Sequence, residues 1–529
     1  MKQPLPILPV ILLLLLINPF WVLSQPLIPV DKKDGISNLQ KEVTDSIGIA
    51  SKSQSLVGIE LEAFAGFNSN ESVPYWMRAN RFGSTPISGT SGGFIASISK
   101  IYDSKKRGKL FDWAAGAQAR FNTGNHTEVL LIEGYLKARL GIFEFKGGRS
   151  KDIMGIVDST LSLGSFSVSG NSLGIPKIQL AVTDYWRIPI WDGLLSFKGN
   201  FAYGWFGNTP IATYIGDFQR TNISVVNSYF HQKSFYARLG KPSAKLNLIG
   251  GFNHQTMFGS EDKIFTNFDL TKFQSFYYAV VGKTWYDNNG ANTKLGNQIG
   301  SIDLGATYDF NKLYLFVYRQ QFYDVGALAH LANVRDGLTG ISLKNKTIRA
   351  GEFYWKKILL ENFYSKNQAG ESWSKPTPSG DEAYYNNFMY LQGWSYRGMG
   401  IGNPLITPRH EARNGLRYKE DEYFVNNRVI AFHLGMEAAI GSLNFLAKLS
   451  YSQNYGTYGT SPLGTSRNKL RWPIPPPYFQ KVNQFSGYIE CNKILQKNWQ
   501  IGISAAIDSG KLLNDSFGLA LNIRKSLNL

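Results

Sequence analysis

The residue types that usually do chemistry are sparse in this chain. Its six histidines, His126, His231, His254, His330, His410 and His433, never fall at the three- or four-residue spacings that build a zinc site. No metal and no cofactor are expected. There is no G-x-x-x-x-G-K-[ST] phosphate loop and no G-x-S-x-G nucleophile turn. The stretch "GMGIGNP" from Gly398 has phosphate-loop glycines but runs into Pro404 instead of a helix, so it reads as a tight turn. "GDE" at Gly380–Glu382 reads as a solvated loop before a cation site. A Ser/His/Asp set assembled from separate strands would leave no local trace, and nothing singles one out. An enzyme is the weakest of the readings.

The positive signals are aromatic and basic. Trp373, Tyr384, Tyr385, Trp394, Tyr396 and Trp472 stand in polar stretches beside Asn, Arg and Asp, as do Tyr75, Trp76, Tyr455 and Tyr458. Rings with polar neighbours stack on sugar faces while the neighbours bond the hydroxyls. The first six are the expected polysaccharide contacts. The competing expectation is that such rings fold inward as a cork or sit at a membrane interface. Lys137, Arg139, Lys198, Arg238 and Lys448 form a second set, all on the polar register of alternating segments. They would attract anions, or simply pair with acids such as Glu60, Glu62 and Glu133.

The elements that carry these residues alternate with a period of two. In "LLSFKGNFAYGWFGNTP" from Leu194, Leu195, Phe197, Phe201, Tyr203 and Trp205 share one register, and Ser196, Lys198 and Asn200 share the other. That is a strand with one apolar and one wet face. Similar segments include Phe111–Asn122, Leu130–Leu140, Ile430–Glu437 and Phe445–Ser452. On this reading Leu130 and Ile132 fall on the apolar register of theirs. Each runs to about 10 residues, the length of a tilted membrane strand. Tight turns at Asn311-Lys312, Lys356-Lys357 and Gly441-Ser442 alternate with long excursions near 69–92, 150–175, 207–233, 321–346, 367–427 and 454–483. "FYYAVVGK" and "FMYLQGWSYRG" break the in/out parity and are assigned to outer loops. Strand starts near 57, 93, 110, 128, 142, 176, 194, 234, 245, 301, 312, 347, 358, 428, 443, 484, 498 and 515 predict an all-β, transmembrane antiparallel barrel of about 18 strands with long extracellular loops.

The N-terminus fits export. Lys2, an apolar run over Ile11–Ile17 and small residues at Val22 and Ser24 have the order of a signal peptide cleaved after Ser24. Residues 25–55 read as a polar periplasmic lead-in, with the barrel over 56–529. Aromatic residues make up 14% of the chain, with 53 Gly, which suits interfacial girdles and turns. The single Cys491 rules out an intramolecular disulfide, so a closed sheet must do that work. A net charge of +18 on an exported chain points away from nucleic acid and toward acidic polysaccharide or lipopolysaccharide phosphates.

Several phrases resemble the capsule-assembly Wzi family of outer-membrane proteins. They include "GGRSKDIMGIVDSTLSLGSFSVSGNSLGIPKIQL" from Gly147, "HQKSFYARLGKPSAKLNLIGGFNHQ" from His231, "LGNQIGSIDLG" from Leu295, "YRQQFYD" from Tyr318 and "GWSYRGMGIGNP" from Gly393. The resemblance implies an 18-stranded barrel in the outer membrane that helps attach capsular polysaccharide to the surface, as a lectin without a known enzymatic activity. It transfers a role and no individual residues. The leading expectation is therefore an outer-membrane barrel, a monomer inserted by the barrel-assembly machinery, that binds or anchors surface polysaccharide through its loops. The runner-up is an anion-selective channel, and a lipid-modifying enzyme comes third.

Overall fold

The computed structural model describes residues 56–103, 110–125, 127–215, 219–286, 292–324, 331–349, 351–370, 381–467 and 470–528. The signal peptide and lead-in expected over 1–55 lie outside the described residues. The alternating segments form strands that close on themselves. The first nine are β1 (Val57–Asn68), β2 (Ser91–Lys100), β3 (Phe111–Gly124), β4 (Glu128–Leu140), β5 (Phe143–Arg149), β6 (Lys177–Arg187), β7 (Leu195–Ile215), β8 (Gln219–Leu239) and β9 (Leu246–Phe258). The others are β10 (Asn297–Asp309), β11 (Leu313–Tyr323), β12 (Gly337–Asn345), β13 (Phe353–Tyr364), β14 (Val429–Ile440), β15 (Leu443–Asn454), β16 (Val482–Ile494), β17 (Trp499–Gly510) and β18 (Ser516–Asn528). Each pairs antiparallel with its neighbours, and β1 pairs with β18 from Gly58↔Asn528 to Asn68↔Gly518. This is a closed 18-stranded barrel with no free edge, as the sequence predicts.

Parity explains its two faces. Leu61, Phe94, Leu136, Leu304, Leu360, Phe432 and Leu521 point outward and are exposed, whereas Asp112, Asn122, Asn253, Asp303 and Glu361 point inward and are buried. A continuous apolar outer band around a polar interior is what a bilayer requires of a barrel. Short turns, such as those at 141–142, 310–312 and 441–442, lie at one end; the long segments 69–90, 150–176, 259–296 and 365–428 lie at the other.

Four local expectations need correction. Lys356-Lys357 is not a turn: both lysines lie within β13, where the register slips between Trp355 and Lys357. The true turn is 346–352, so β12 starts at Gly337, ten residues before expected. The excursion at 207–233 is a long hairpin, because β7 and β8 each run for 21 residues and stay paired well past Trp205. In β4, a bulge against Gln118/Ala119 flips the parity of the first half. Val129 and Leu131 are therefore exposed while Ile132 is buried, the reverse of an unbroken alternation. Finally, "FYYAVVGK" does belong to an outer loop, but as a helix.

Among the described residues three short helices sit in the long loops: α1 (Tyr75–Arg78), α2 (Glu261–Ile264) and α3 (Lys272–Val281). Thr271 starts α3 with a reciprocal cap to Gln274, and Gly282 ends it in the left-handed conformation.

Candidate functional site

The long loops do not stand away from the barrel. The segment 150–176 leaves β5 and crosses the lumen to the far wall. There the Ile156 amide donates to Asp303 of β10 (3.1 Å), and the Leu163 amide donates to Glu361 of β13 (2.6 Å). Glu361 also accepts from Ser162 Oγ (2.7 Å) and from the Tyr318 hydroxyl of β11 (2.6 Å). Asp158 of the segment meets Lys357 Nζ at 3.0 Å and accepts from Ser342 Oγ of β12 at 2.9 Å. Burial works to raise the Asp158 carboxyl, but Lys357 and the Leu161 and Thr160 amides outweigh it and hold it low. His433 of β14 completes the far anchor. A carbonyl can only accept, so Nε2 donates to Leu161 O (2.7 Å), which leaves Nδ1 to accept from Ser450 Oγ (2.8 Å).

A second segment, 381–428, lies over the first. The Trp394 indole donates to Ser167 O (2.7 Å), the Tyr385 hydroxyl to Phe166 O, and Asn171 Nδ2 to Gly400 O (3.1 Å). Phe166 stacks on Phe322 of β11 at 4.1 Å and meets Tyr384 edge-on at 5.1 Å. The Tyr384 hydroxyl donates to Asp336 (2.8 Å) and the Tyr390 hydroxyl to Glu261 (2.9 Å). Burial pushes the Asp336 carboxyl up to about 6 and raises the phenols of Tyr384, Tyr385 and Tyr390. The "GMGIGNP" turn has a structural role: a Cβ on Gly402 would lie 2.0 Å from both Phe166 O and the Tyr385 hydroxyl. A third segment, 69–90, joins them. Trp76 Nε1 donates to Ser450 Oγ (3.1 Å) and Asn80 Nδ2 to Leu163 O (3.0 Å).

This packing corrects the expected exposure of the ring set. Tyr384, Tyr385 and Trp394 are fully buried in the plug, and Tyr396 is 7% exposed with its hydroxyl accepting from Arg149 (3.1 Å). Tyr75, Trp76 and Tyr458 are buried as well. As packed, none of these rings offers a face for a sugar. Trp373 lies outside the described residues; Trp472 pairs with Thr465 in a short hairpin. Of the ten rings only Tyr455 is half-buried with a described environment, beneath Lys366 at 3.9 Å.

The lumen cations are also engaged. Lys137 faces Glu144 at 3.4 Å, and Arg139 faces Asp112 at 3.6 Å and lies over Tyr102. Lys198 sits over Tyr185 and Tyr236, and Lys448 over Trp76 at 4.5 Å. Arg238 donates to Ser196 Oγ (3.0 Å) and lies over Tyr185.

One loop element covers the wall from outside. His231, Lys233, His254 and Thr256 share the outward register with the exposed Phe201, Phe235 and Leu304. Helix α3 lies on them. Phe276 packs against Tyr203 (5.8 Å), Phe258 (5.9 Å) and His231 (6.1 Å), and Thr256 donates to Ala279 O (3.3 Å). Phe273, Tyr277 and Val281, four residues apart on the opposite face, are exposed. Alternation alone gave no sign of this cover, although the Thr271/Gln274 capping pair was a readable helix signal.

Comparison with known proteins agrees with the architecture. No family model matches the chain, and no curated protein does. Among solved structures it is similar to Wzi of Escherichia coli, described as an outer-membrane protein involved in group 1 capsule assembly and a carbohydrate-binding β-barrel. The TM-score is 0.53 at 8% identity, over 93% of this chain and 88% of that one. It also aligns with Pseudomonas aeruginosa OccK5 (TM-score 0.43, 10% identity, 90% and 98% covered) and OccK10 (0.42, 12%, 90% and 100%). At these identities the likeness is one of fold. The resemblance to the Wzi family read from the sequence is met at that level.

Proposed function

We propose that this protein binds or anchors surface polysaccharide, capsular or exopolysaccharide, at the outer membrane through its extracellular loops, without catalysis. The observation that carries the reading is the filled lumen. Three loop segments are bonded to one another and to the far wall, which leaves the outer loop surface as the face available to a ligand. Trp373 and Trp472 are the rings proposed to meet sugar, and Tyr384, Tyr385, Trp394 and Tyr396 hold the plug together. Likeness of fold to a carbohydrate-binding barrel supports the same direction. Export with cleavage after Ser24, insertion by the barrel-assembly machinery and a monomeric state belong to the proposal.

The competing reading of the basic lumen is an anion-selective channel. Against it stand the ion pairs and ring contacts that already occupy Lys137, Arg139, Lys198, Arg238 and Lys448. Two measurements test the proposal together. The purified barrel in a planar bilayer should give no steady ion steps. Cells carrying Trp373→Ala with Trp472→Ala should retain several-fold less surface polysaccharide at unchanged barrel abundance. Sustained anion-selective steps would turn the reading to the channel, and unchanged retention would remove the two rings from it.

A further inference from the structure

Across the outer ends of β13, β14, β15 and β16 the outward register forms one continuous row: Lys366, Arg428, Tyr455, Lys481. The alignment follows from the backbone. Ser365 N donates to Val429 O (2.8 Å), Tyr455 N to Arg428 O (3.0 Å), and Asn454 pairs with Val482. Lys366 Nζ lies 3.9 Å and Lys481 Nζ 5.9 Å from the Tyr455 ring centre. Arg428 is buried, 7% exposed, with its guanidinium 4.1 Å over the buried Tyr458 ring and its Nε donating to Lys366 O (3.1 Å). Among the described residues none of the three cations makes an ion pair. The carboxylate that acts on Arg428 is Asp336, which is fully buried and committed to the Asn367 and Gln368 amides and the Tyr384 hydroxyl. Burial, Arg428 and Lys481 together hold Lys366 below its ordinary pKa, the mark of cations short of a counter-charge.

What lies beneath the row identifies the class of ligand. One step down the same register come Tyr364, Ile430, Gln453 and Asn483; next Asn362, Phe432, Tyr451 and Phe485; then Leu360, Leu434, Leu449 and Gly487. Phe432 is 62% exposed and Leu360 54%. From the cations to the leucines is six residues, roughly 20 Å along a strand and about 15 Å in depth at the usual tilt. That is the thickness of one leaflet's hydrocarbon. The first step is polar but for Ile430, and the lower two are chiefly apolar, so a molecule that neutralises the row while lying along them must be an anionic amphiphile. We propose that Lys366, Tyr455 and Lys481, with the buried Arg428 adding its charge behind them, form a binding site for the phosphates of an outer-leaflet glycolipid whose acyl chains run down the β13–β16 face. The site rests on placement in the outer membrane and not on the polysaccharide reading, so either can fail alone.

The test uses the full-length barrel in detergent and native mass spectrometry. The probes are a diphosphorylated hexa-acyl lipid A, its dephosphorylated form, inorganic phosphate and an acidic polysaccharide. Wild type should retain the phosphorylated lipid over the dephosphorylated one. Lys366→Gln with Lys481→Gln should lower that retention by about thirty-fold, from two interfacial cations. Lys366→Arg with Lys481→Arg should preserve it, and Lys241→Gln at the opposite end should change nothing. Equal retention of the two lipids, or no loss in the double Gln variant while the barrel stays folded, overturns the site. So does a double-Gln loss confined to the acidic polysaccharide or to inorganic phosphate.

Discussion

The plug inside the barrel and helix α3 outside it meet the same requirement by different means. Both cover polar side chains of the wall, and a histidine in each place shows the contrast. Inside, both nitrogens of His433 are bonded, one to the plug and one to the wall. Outside, His231 donates from Nδ1 to Ala202 O and His254 from Nε2 to Gln298, while His231 Nε2 and His254 Nδ1 have no partner among the described residues. The inner cover is specified bond by bond, by carboxylates, amides and close backbone contact. The outer cover is specified by the Phe276 ring and by two bonds to the last turn of the helix, Thr256 Oγ1 to Ala279 O and Lys233 Nζ to Val280 O. An unpaired buried polar atom costs about 1–3 kcal/mol, and both covers leave some. On the plug side Tyr75 Oη, Asn80 Oδ1 and Gln368 Oε1 have no partner among the described residues. The two covers therefore differ in how many bonds fix them to the wall and not in how completely each is satisfied.

The sharpest way to break the contrast is at Gly402, where a Cβ has no room between Phe166 O and the Tyr385 hydroxyl. Backbone cannot swing aside as a side chain can. Gly402→Ala is expected to unseat the interlock of 150–176 with 381–428, at a cost of about 3 kcal/mol or more. Urea unfolding of the purified barrel should show the loss, and the bilayer should then show ion steps absent from wild type, because 18 strands enclose a lumen wide enough for water. Wild-type stability together with a silent bilayer would mean the interlock is not what closes the lumen.

A smaller and local effect is expected outside. Phe276→Ala removes the ring over Tyr203, Phe258 and His231, worth about 2–3 kcal/mol of local burial and ring contact. Hydrogen exchange over 272–281 should rise at least ten-fold while the plug amides of 150–176 stay protected. Equal loosening of both regions would show that the two covers are coupled, against the separation drawn above.

Much of this architecture was legible because it rests on periodicity. Strand number, closure and the in/out faces follow from a two-residue alternation that the bilayer enforces along every strand. What escaped has a common cause. The bulge opposite Gln118/Ala119 inverted Ile132, and the slip at Trp355/Lys357 hid the 346–352 turn, because one extra residue reverses a period-two pattern without changing its composition. The buried fate of Tyr384, Tyr385 and Trp394 was illegible for another reason. A ring among Asn, Arg and Gly has the same sequence signature on a loop surface as in a plug whose partners, Phe166 and Ser167, lie over 200 residues away. The row Lys366, Arg428, Tyr455, Lys481 likewise exists only across four strands.

The finest distinction between the two covers is their response to pH. In the inner cover Glu422 accepts from Thr457 Oγ at 2.6 Å, and burial pushes its carboxyl from the ordinary 4.5 up to about 7. The folded plug therefore keeps a proton that the unfolded chain has already released. Between pH about 4.5 and about 7 the unfolded state binds fewer protons, so stability falls as pH rises and levels off above about 7. Asp336, raised from 3.8 to about 6, acts with the same sign over a lower window. Exchange protection of the 419–427 amides, corrected for intrinsic rates, should thus be greater at pH 5.5 than at pH 8, by at least about ten-fold. Glu422→Gln keeps the Thr457 contact without a titrating group and should flatten most of that difference. If the variant keeps the wild-type pH profile, the dependence belongs to Asp336 or another acid, and the plug's contact with the 455–461 loop is not its pH-sensitive joint.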